Sequence, residues 1–321
     1  MERHATIAVV AGGRTVEHAL SLASGHALCA ALRDSAWDAS LLVMSEDGGF
    51  PSPESLRNFD YVLPLVHGGG LAGMLELLEV PVLGERVGGA TAAIDKPLAK
   101  RVLAQAGLPV LPGLVFTRAQ LAARPREVVT KIAHELGFPC FVKPASGAAS
   151  IGAAPVHDLA SLLAALVRAA SFDPRILVEP FLDARDVEVG VIAGVPSIPG
   201  ELVFRADFHD HATKTCAGAL ELVLPAMVGA PERDRLQAMA VAAFAALDLE
   251  AVARVEFLVD RNTHEVFLNE VNPAPCFAPT AVFPRLWEAS GLVIPAIVER
   301  LARVADARQR ELFRTRRGAG A

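Results

Sequence analysis

The 321-residue sequence predicts a mixed α/β (α+β) chain: a parallel sheet covered by helices at the N-terminal end, followed by antiparallel strands. Three observations carry that expectation. Residues 5–90 alternate short apolar strands with helices. Residues 253–273 read as two strands around a polar turn. Between them, apolar strands at 140–144, 176–182 and 185–189 are separated by Gly, Pro and Ser breaks.

Composition bounds the function. The hydrophobic fraction is 52% and mean hydropathy is +0.38. No apolar run reaches the roughly 20 residues of a membrane span, and the start MERHATIAVVAGG reads as a first strand rather than a signal peptide. Net charge is −6 with dispersed Lys and Arg, which argues against a nucleic-acid partner. Cys29, Cys140, Cys216 and Cys276 are far apart without a CxxC, as in a reducing cytoplasm.

In order, the N-terminal unit has strands at Thr6 to Val10, Ser40 to Met44, Tyr61 to Val66 and Val80 to Leu83. Ligands of such sheets gather at the carboxyl ends of the strands. There the sequence places Gly12-Gly13 with Glu17, and His67-Gly68-Gly69-Gly70; bland turns are the alternative reading of both. A helix is expected from Ala90 to Ala106 with Lys96 in its first half, and another from Ala119 to Leu136. The strand Cys140 to Pro144 presents Lys143 beside the small loop Ala145 to Gly152. A lysine next to backbone N–H groups suits a phosphate, although GxxxxGK[ST] is absent. Ile176 to Leu182, with Pro180, is a strand running into a linker fit to hold an adenine edge. Phe208 to Thr215 is polar and loop-like; His209 and His211 lack further ligands at a zinc spacing. Glu232 to Leu247 is an amphipathic helix, Pro284 to Ala305 a closing helix, and the end of the chain a disordered tail.

The hairpin carries the chemistry. Alternation puts Arg254 and Glu256 on one face of its first strand, and Glu270 and Asn272 on one face of the second. Val255, Phe257, Val266 and Leu268 are expected in the core. Two carboxylates held close together need a cation, and an all-oxygen set suits Mg²⁺ with phosphate. An ordinary solvated strand face is the competing reading.

Taken in order, VAGGRTVEHALSLASG, VHGGG, AIDKPLAKRVLAQAGLP, GFPCFVKPASGAASIG, RILVEPFLDARDVEVGVIAG, DFHDHATK, ARVEFLVD and LNEVNPAPCFAPT resemble the D-alanine–D-alanine ligase branch of the ATP-grasp superfamily, over residues 5 to 302. The resemblance implies a Rossmann-like N-terminal domain (1–90), two grasp subdomains (91–182 and 183–312) and a tail (313–321). By the same resemblance, Lys96, Lys143 and Lys214 match lysines that contact the phosphates of ATP. Glu179 and Leu182 match the adenine linker, Asp186 a ribose-binding glutamate and Phe208 an aromatic near the adenine. Glu256, Glu270 and Asn272 match ligands of Mg²⁺, with two ions expected and Mn²⁺ as a substitute. Arg254 matches the arginine that stabilises the transferring phosphoryl group, and Glu17 an acid that holds the first substrate's amino group.

The substrate half departs from the family pattern. A Gly-Glu-Asp-Gly run expected after His67-Gly68 is missing. Ala149 and Thr215 stand where a serine and a tyrosine assist Glu17. Ala281 stands for a serine that binds the second substrate's carboxylate, and Cys276 for a glycine of the oxyanion hole. A hydrogen bond to a charged group is worth roughly 1.5–3 kcal/mol, about tenfold in affinity for each 1.4. The expectation is therefore an ATP-dependent carboxylate–amine ligase, working through an acyl phosphate on small amino-acid-like substrates. It would be a specialised relative of the D-alanine-joining enzymes, compatible with a homodimer. Three rivals are a housekeeping D-alanine–D-alanine ligase of peptidoglycan synthesis, an inactive ATP-binding regulatory protein and an intramolecular cyclase.

Overall fold

A computed structural model describes residues 4–50, 52–147, 150–204 and 220–318. Its three sheets stand in the arrangement the sequence predicts. The first is parallel, β2(Trp37–Met44)–β1(Ala5–Gly12)–β3(Tyr61–Pro64). The expected fourth strand at 80–83 is reduced to one parallel bridge, Val62 to Val82. Pro81 lacks the N–H that a longer ladder needs, although its carbonyl accepts from Val62 N at 2.9 Å. Helix α1(His18–Leu32) follows the Gly12-Gly13 turn, and α2(Gly69–Leu78) follows β3. Gly12 sits at φ +94°, where a Cβ would lie 2.3 Å from the Met44 carbonyl oxygen, so only glycine fits.

The helix expected over 90–106 is two helices, α3(Val87–Ile94) and α4(Lys96–Gln105). Asp95 breaks the run in an extended conformation, its carboxylate accepts from Leu98 N, and Pro97 opens α4. Lys96 therefore sits at a helix start. The helix expected over 119–136 likewise divides at Pro125 into α5(Arg118–Ala123) and α6(Pro125–Glu135). These pack on an antiparallel sheet, β4(Leu114–Thr117)–β7(Arg175–Pro180)–β5(Cys140–Pro144)–β6(Ala154–Val156), together with α7(Leu159–Phe172). Its core holds Ile132, Val142, Leu162, Leu166, Ile176 and Val178.

The third sheet is antiparallel, β11(Leu220–Val223)–β10(Gly200–Phe204)–β8(Ala184–Ile192)–β12(Val252–Asp260)–β13(Val266–Asn272), with β9(Val195–Pro196) beside β8. Helix α8(Ala230–Ala246) covers one face through Leu236, Ala240 and Phe244 against Val189, Val255 and Phe257. The expected closing helix is again two, α9(Val282–Ala289) and α10(Ile294–Gly318), separated at Gly291 with φ +83°. Where the sequence reading begins a disordered tail at 313, α10 continues to Gly318.

The N-terminal and C-terminal sheets share a core: Ile7, Val9 and Leu28 pack with Ile192, Val252, Phe283 and Trp287. A buried carboxylate ties the same two units. Glu85 accepts from the backbone N–H of Glu250, Ala251 and Val252 at 2.8, 2.8 and 2.6 Å. Burial raises its pKa, against the opposing pull of those bonds and of Arg308. This frame fixes the C-terminal sheet relative to the carboxyl ends of β1 and β3. No helix among the described residues is long and apolar enough to cross a membrane.

Candidate active site

The hairpin contains a feature that strict alternation misses. Arg254 pairs with Asn272 and Glu256 with Glu270, but Phe257 pairs with Leu268. Asn269 is thus an extra residue, a β-bulge on β13. Without it, Val266, Leu268, Glu270 and Asn272 would all share one face. The bulge lets Val266, Leu268 and Val271 join the core while Glu270 and Asn272 line the opposite side.

Arg254 sits among three carboxylates. It contacts Glu188 directly and lies 3.7 Å from Glu256 and 3.6 Å from Glu270. Burial alone would lower its pKa, but these carboxylates outweigh burial and raise it, so the guanidinium stays charged. Lys96 Nζ lies 3.5 Å from Glu270 and donates to the Gly147 carbonyl at 2.5 Å, which brings the loop after β5 to the hairpin. The start of that loop is anchored by Asp173, which accepts from both the backbone and the hydroxyl of Ser146.

Lys143 Nζ pairs with Glu179 at 2.6 Å and donates to the Asn269 side-chain oxygen at 3.0 Å. The other Glu179 oxygen contacts Lys100. Burial pushes Lys100 down to about 8 despite that carboxylate. Burial would raise Glu179, but Lys143 and then Lys100 outweigh it and hold it below its ordinary value. The Glu179 side chain therefore positions two lysines.

Apart from Lys100, the side chains of these two clusters face one cavity of about 430 Å³. Leu182, Asp186 and Leu202 line it, together with Phe181 of the linker after β7. Arg254, Glu256, Glu270 and Asn272 line it as well, with Lys96 and Lys143. Glu17, His67, Cys276 and Ala281 line the same cavity. His67 Nδ1 lies 3.9 Å from Glu17. Nearby hydroxyls are committed to backbone: Ser21 donates to the Leu65 carbonyl at 2.7 Å, and Ser24 accepts from Phe277 N at 2.8 Å. Gly69 has a packing reason, since a Cβ there would lie 1.9 Å from the Thr91 hydroxyl.

Residues 102–303 match the family model for the D-ala D-ala ligase C-terminus. The chain is 32% identical to the D-alanine–D-alanine ligase of Heliobacterium modesticaldum, over 95% of this chain and 96% of that protein. It is 35% identical to that of Deinococcus radiodurans, over 93% and 98%. The solved D-alanine–D-alanine ligase of Coxiella burnetii superposes with a TM-score of 0.84 at 25% identity, covering 98% of this chain and 97% of that one. The chain belongs to the D-alanine–D-alanine ligase family. As a member it has the ATP-grasp fold and is an ATP-dependent, ADP-forming carbon–nitrogen ligase.

Of the residues the family resemblance singles out, Ala149, Phe208, Lys214 and Thr215 lie outside the described residues. The others line the shared cavity. Sequence reasoning missed Lys100, Glu188 and Asn269. Lys100 is one helical turn beyond Lys96, and Glu188 shares a strand face with Asp186; both spacings were legible. Asn269 was visible only as a conflict, because Val266 and Leu268 belong in the core while Glu270 does not.

Among the described residues no group of three His, Cys, Asp or Glu side chains forms a ready metal cluster. The candidate set is two carboxylates and an amide. Asn272 Oδ1 also accepts from Ala274 N at 2.9 Å, which fixes the amide's orientation. Such an incomplete oxygen set fits Mg²⁺ that takes its remaining ligands from phosphate and water.

Proposed function

We propose that the protein uses MgATP to join the carboxylate of one small amino-acid-like substrate to the amine of another, releasing ADP and phosphate. The observation that carries this reading is the gathering of Lys96, Lys143, Arg254, Glu256, Glu270 and Asn272 on one cavity that Glu17 also lines. Among the described lining residues, six are acidic (Glu17, Glu179, Asp186, Glu188, Glu256, Glu270) and three are basic (Lys96, Lys143, Arg254). A polyanionic triphosphate enters such a site only with cations. Mg²⁺ held by Glu256, Glu270 and Asn272 would supply that neutralisation, with two ions in the family pattern and Mn²⁺ as a substitute.

The substrate carboxylate attacks the γ-phosphorus, the bond to the β-bridging oxygen breaks, and ADP leaves. The amine then attacks the acyl carbon of the acyl phosphate, the carbon–oxygen bond breaks, and inorganic phosphate departs while the amine loses a proton. Phosphoryl transfer needs mainly positioning and charge neutralisation, and Arg254 is built for both. Glu17, with His67 beside it, is placed to hold the first substrate's ammonium.

The finer reading concerns the second substrate. Cys276 and Ala281 line the cavity, which leaves no carboxylate-binding hydroxyl at 281. We read this as a specialised ligase whose second substrate is not D-alanine. The names of the relatives favour the other reading, ordinary D-alanine–D-alanine synthesis. Steady-state kinetics with D-alanine as sole amino acid separates the two. The specialised reading expects little ADP release near saturation, strong release with another carboxylate–amine pair, and improved use of a carboxylate-bearing amine by Ala281→Ser. A robust rate with the D-alanine dipeptide as product returns the protein to the ordinary reaction.

A further inference from the structure

We propose that Asn269 is a positioning residue that sets the phosphate lysine Lys143 and the metal carboxylate Glu256 in one geometry; the proposal rests on the MgATP reading above. Its amide nitrogen donates to Glu256 at 2.6 Å and its amide oxygen accepts from Lys143 at 3.0 Å. Lys143 belongs to β5 of the four-stranded sheet and Glu256 to β12 of the C-terminal sheet. Asn269 therefore joins the two halves that enclose the nucleotide. A second observation supports this use of the side chain. Asn269 is the extra residue of the bulge, so its place is not dictated by the β-ladder. Bulges next to active sites commonly re-aim side chains, and this one turns both an amide and Glu270 toward the cavity.

The chemistry explains why an amide is suited to the position. An amide offers a donor and an acceptor at once. A carboxylate there would repel Glu256, an ammonium would repel Lys143, and an aliphatic group would satisfy neither. The relay extends behind Lys143 to Glu179 and Lys100, so the lysine is held from both sides. With Asn269 in place, Lys143 and Glu256 are set before nucleotide arrives, and less ordering is left for the binding step.

The test is calorimetric, on the full-length protein, with ADP and Mg²⁺ as probes. Asn269→Ala is expected to weaken MgADP binding about tenfold, the loss of one or two charge-assisted hydrogen bonds. It should raise the Mg²⁺ concentration needed for half-maximal turnover by a similar factor. Lys143→Ala should weaken MgADP binding as well, and the double variant should lose less than the product of the two single losses, because one arm of the amide acts through the lysine and the other through Glu256. Thermal unfolding of each variant shows whether it is folded. A folded Asn269→Ala with wild-type MgADP affinity and Mg²⁺ requirement overturns the proposal, as does strict additivity with Lys143→Ala. Asn269→Gln supplies a second reading if the alanine variant fails to fold: a longer amide should bind with intermediate affinity, and wild-type affinity there would contradict a demand for this geometry. Absence of MgADP binding to the wild type instead overturns the underlying nucleotide reading.

Discussion

Arg254→Met is expected to lower turnover by about 10³-fold or more, the scale on which an arginine at a transferring phosphoryl group acts. It should also destabilise the fold. In the native protein Arg254 offsets Glu188, Glu256 and Glu270, and the Glu188 side chain is fully buried. Removing the cation from such a cluster costs about 3–5 kcal/mol, because the carboxylates lose the guanidinium that offsets their mutual repulsion. Arg254→Lys separates the two effects. An ammonium restores the charge and most of the stability, but not the planar fork that addresses several oxygens together. Urea unfolding alongside steady-state ADP release checks both. A stable Arg254→Lys with wild-type turnover would show that the guanidinium is only a structural counter-ion.

Glu270→Gln should also abolish measurable turnover while leaving the protein folded. Glutamine keeps the shape but presents a neutral ligand to Mg²⁺ and a weaker partner to Lys96 and Arg254, which lie 3.5 and 3.6 Å from the native carboxylate. The loss should persist at raised ATP, since the defect lies in neutralising the reacting phosphates. Circular dichroism and urea unfolding should match the wild type to within about 1 kcal/mol, because the residue is partly exposed to the cavity. Normal turnover of the variant in Mg²⁺ would mean that the hairpin carboxylates are not metal ligands.

Much of this was legible from local chemistry. The parallel unit followed from βα alternation, and the hairpin from its Val, Phe and Leu content. What escaped were features set by single residues. Asp95 and Pro97 divide one helical run into two, and Gly291 divides another. Pro81 shrinks a strand to a bridge. The bulge at Asn269 could not be placed by period alone, because the extra residue acts only once both strands are paired. The pairing of Glu179 with Lys100 was not readable either, because Lys100 reaches that strand from α4 only in the folded chain. Conversely, the presence of Glu17, Cys276 and Ala281 on one cavity needed the fold, since N-terminal and C-terminal segments meet through their shared core.

If both antiparallel sheets and the N-terminal unit together form one MgATP-dependent site, nucleotide binding must depend on the metal. Titration of the wild-type protein with a non-hydrolysable ATP analogue, with and without Mg²⁺, tests it most directly. The account predicts saturable one-to-one binding that weakens at least tenfold when Mg²⁺ is withheld, since the cavity's acidic lining repels a bare triphosphate. Absence of binding to the folded protein, or binding indifferent to Mg²⁺, would contradict it.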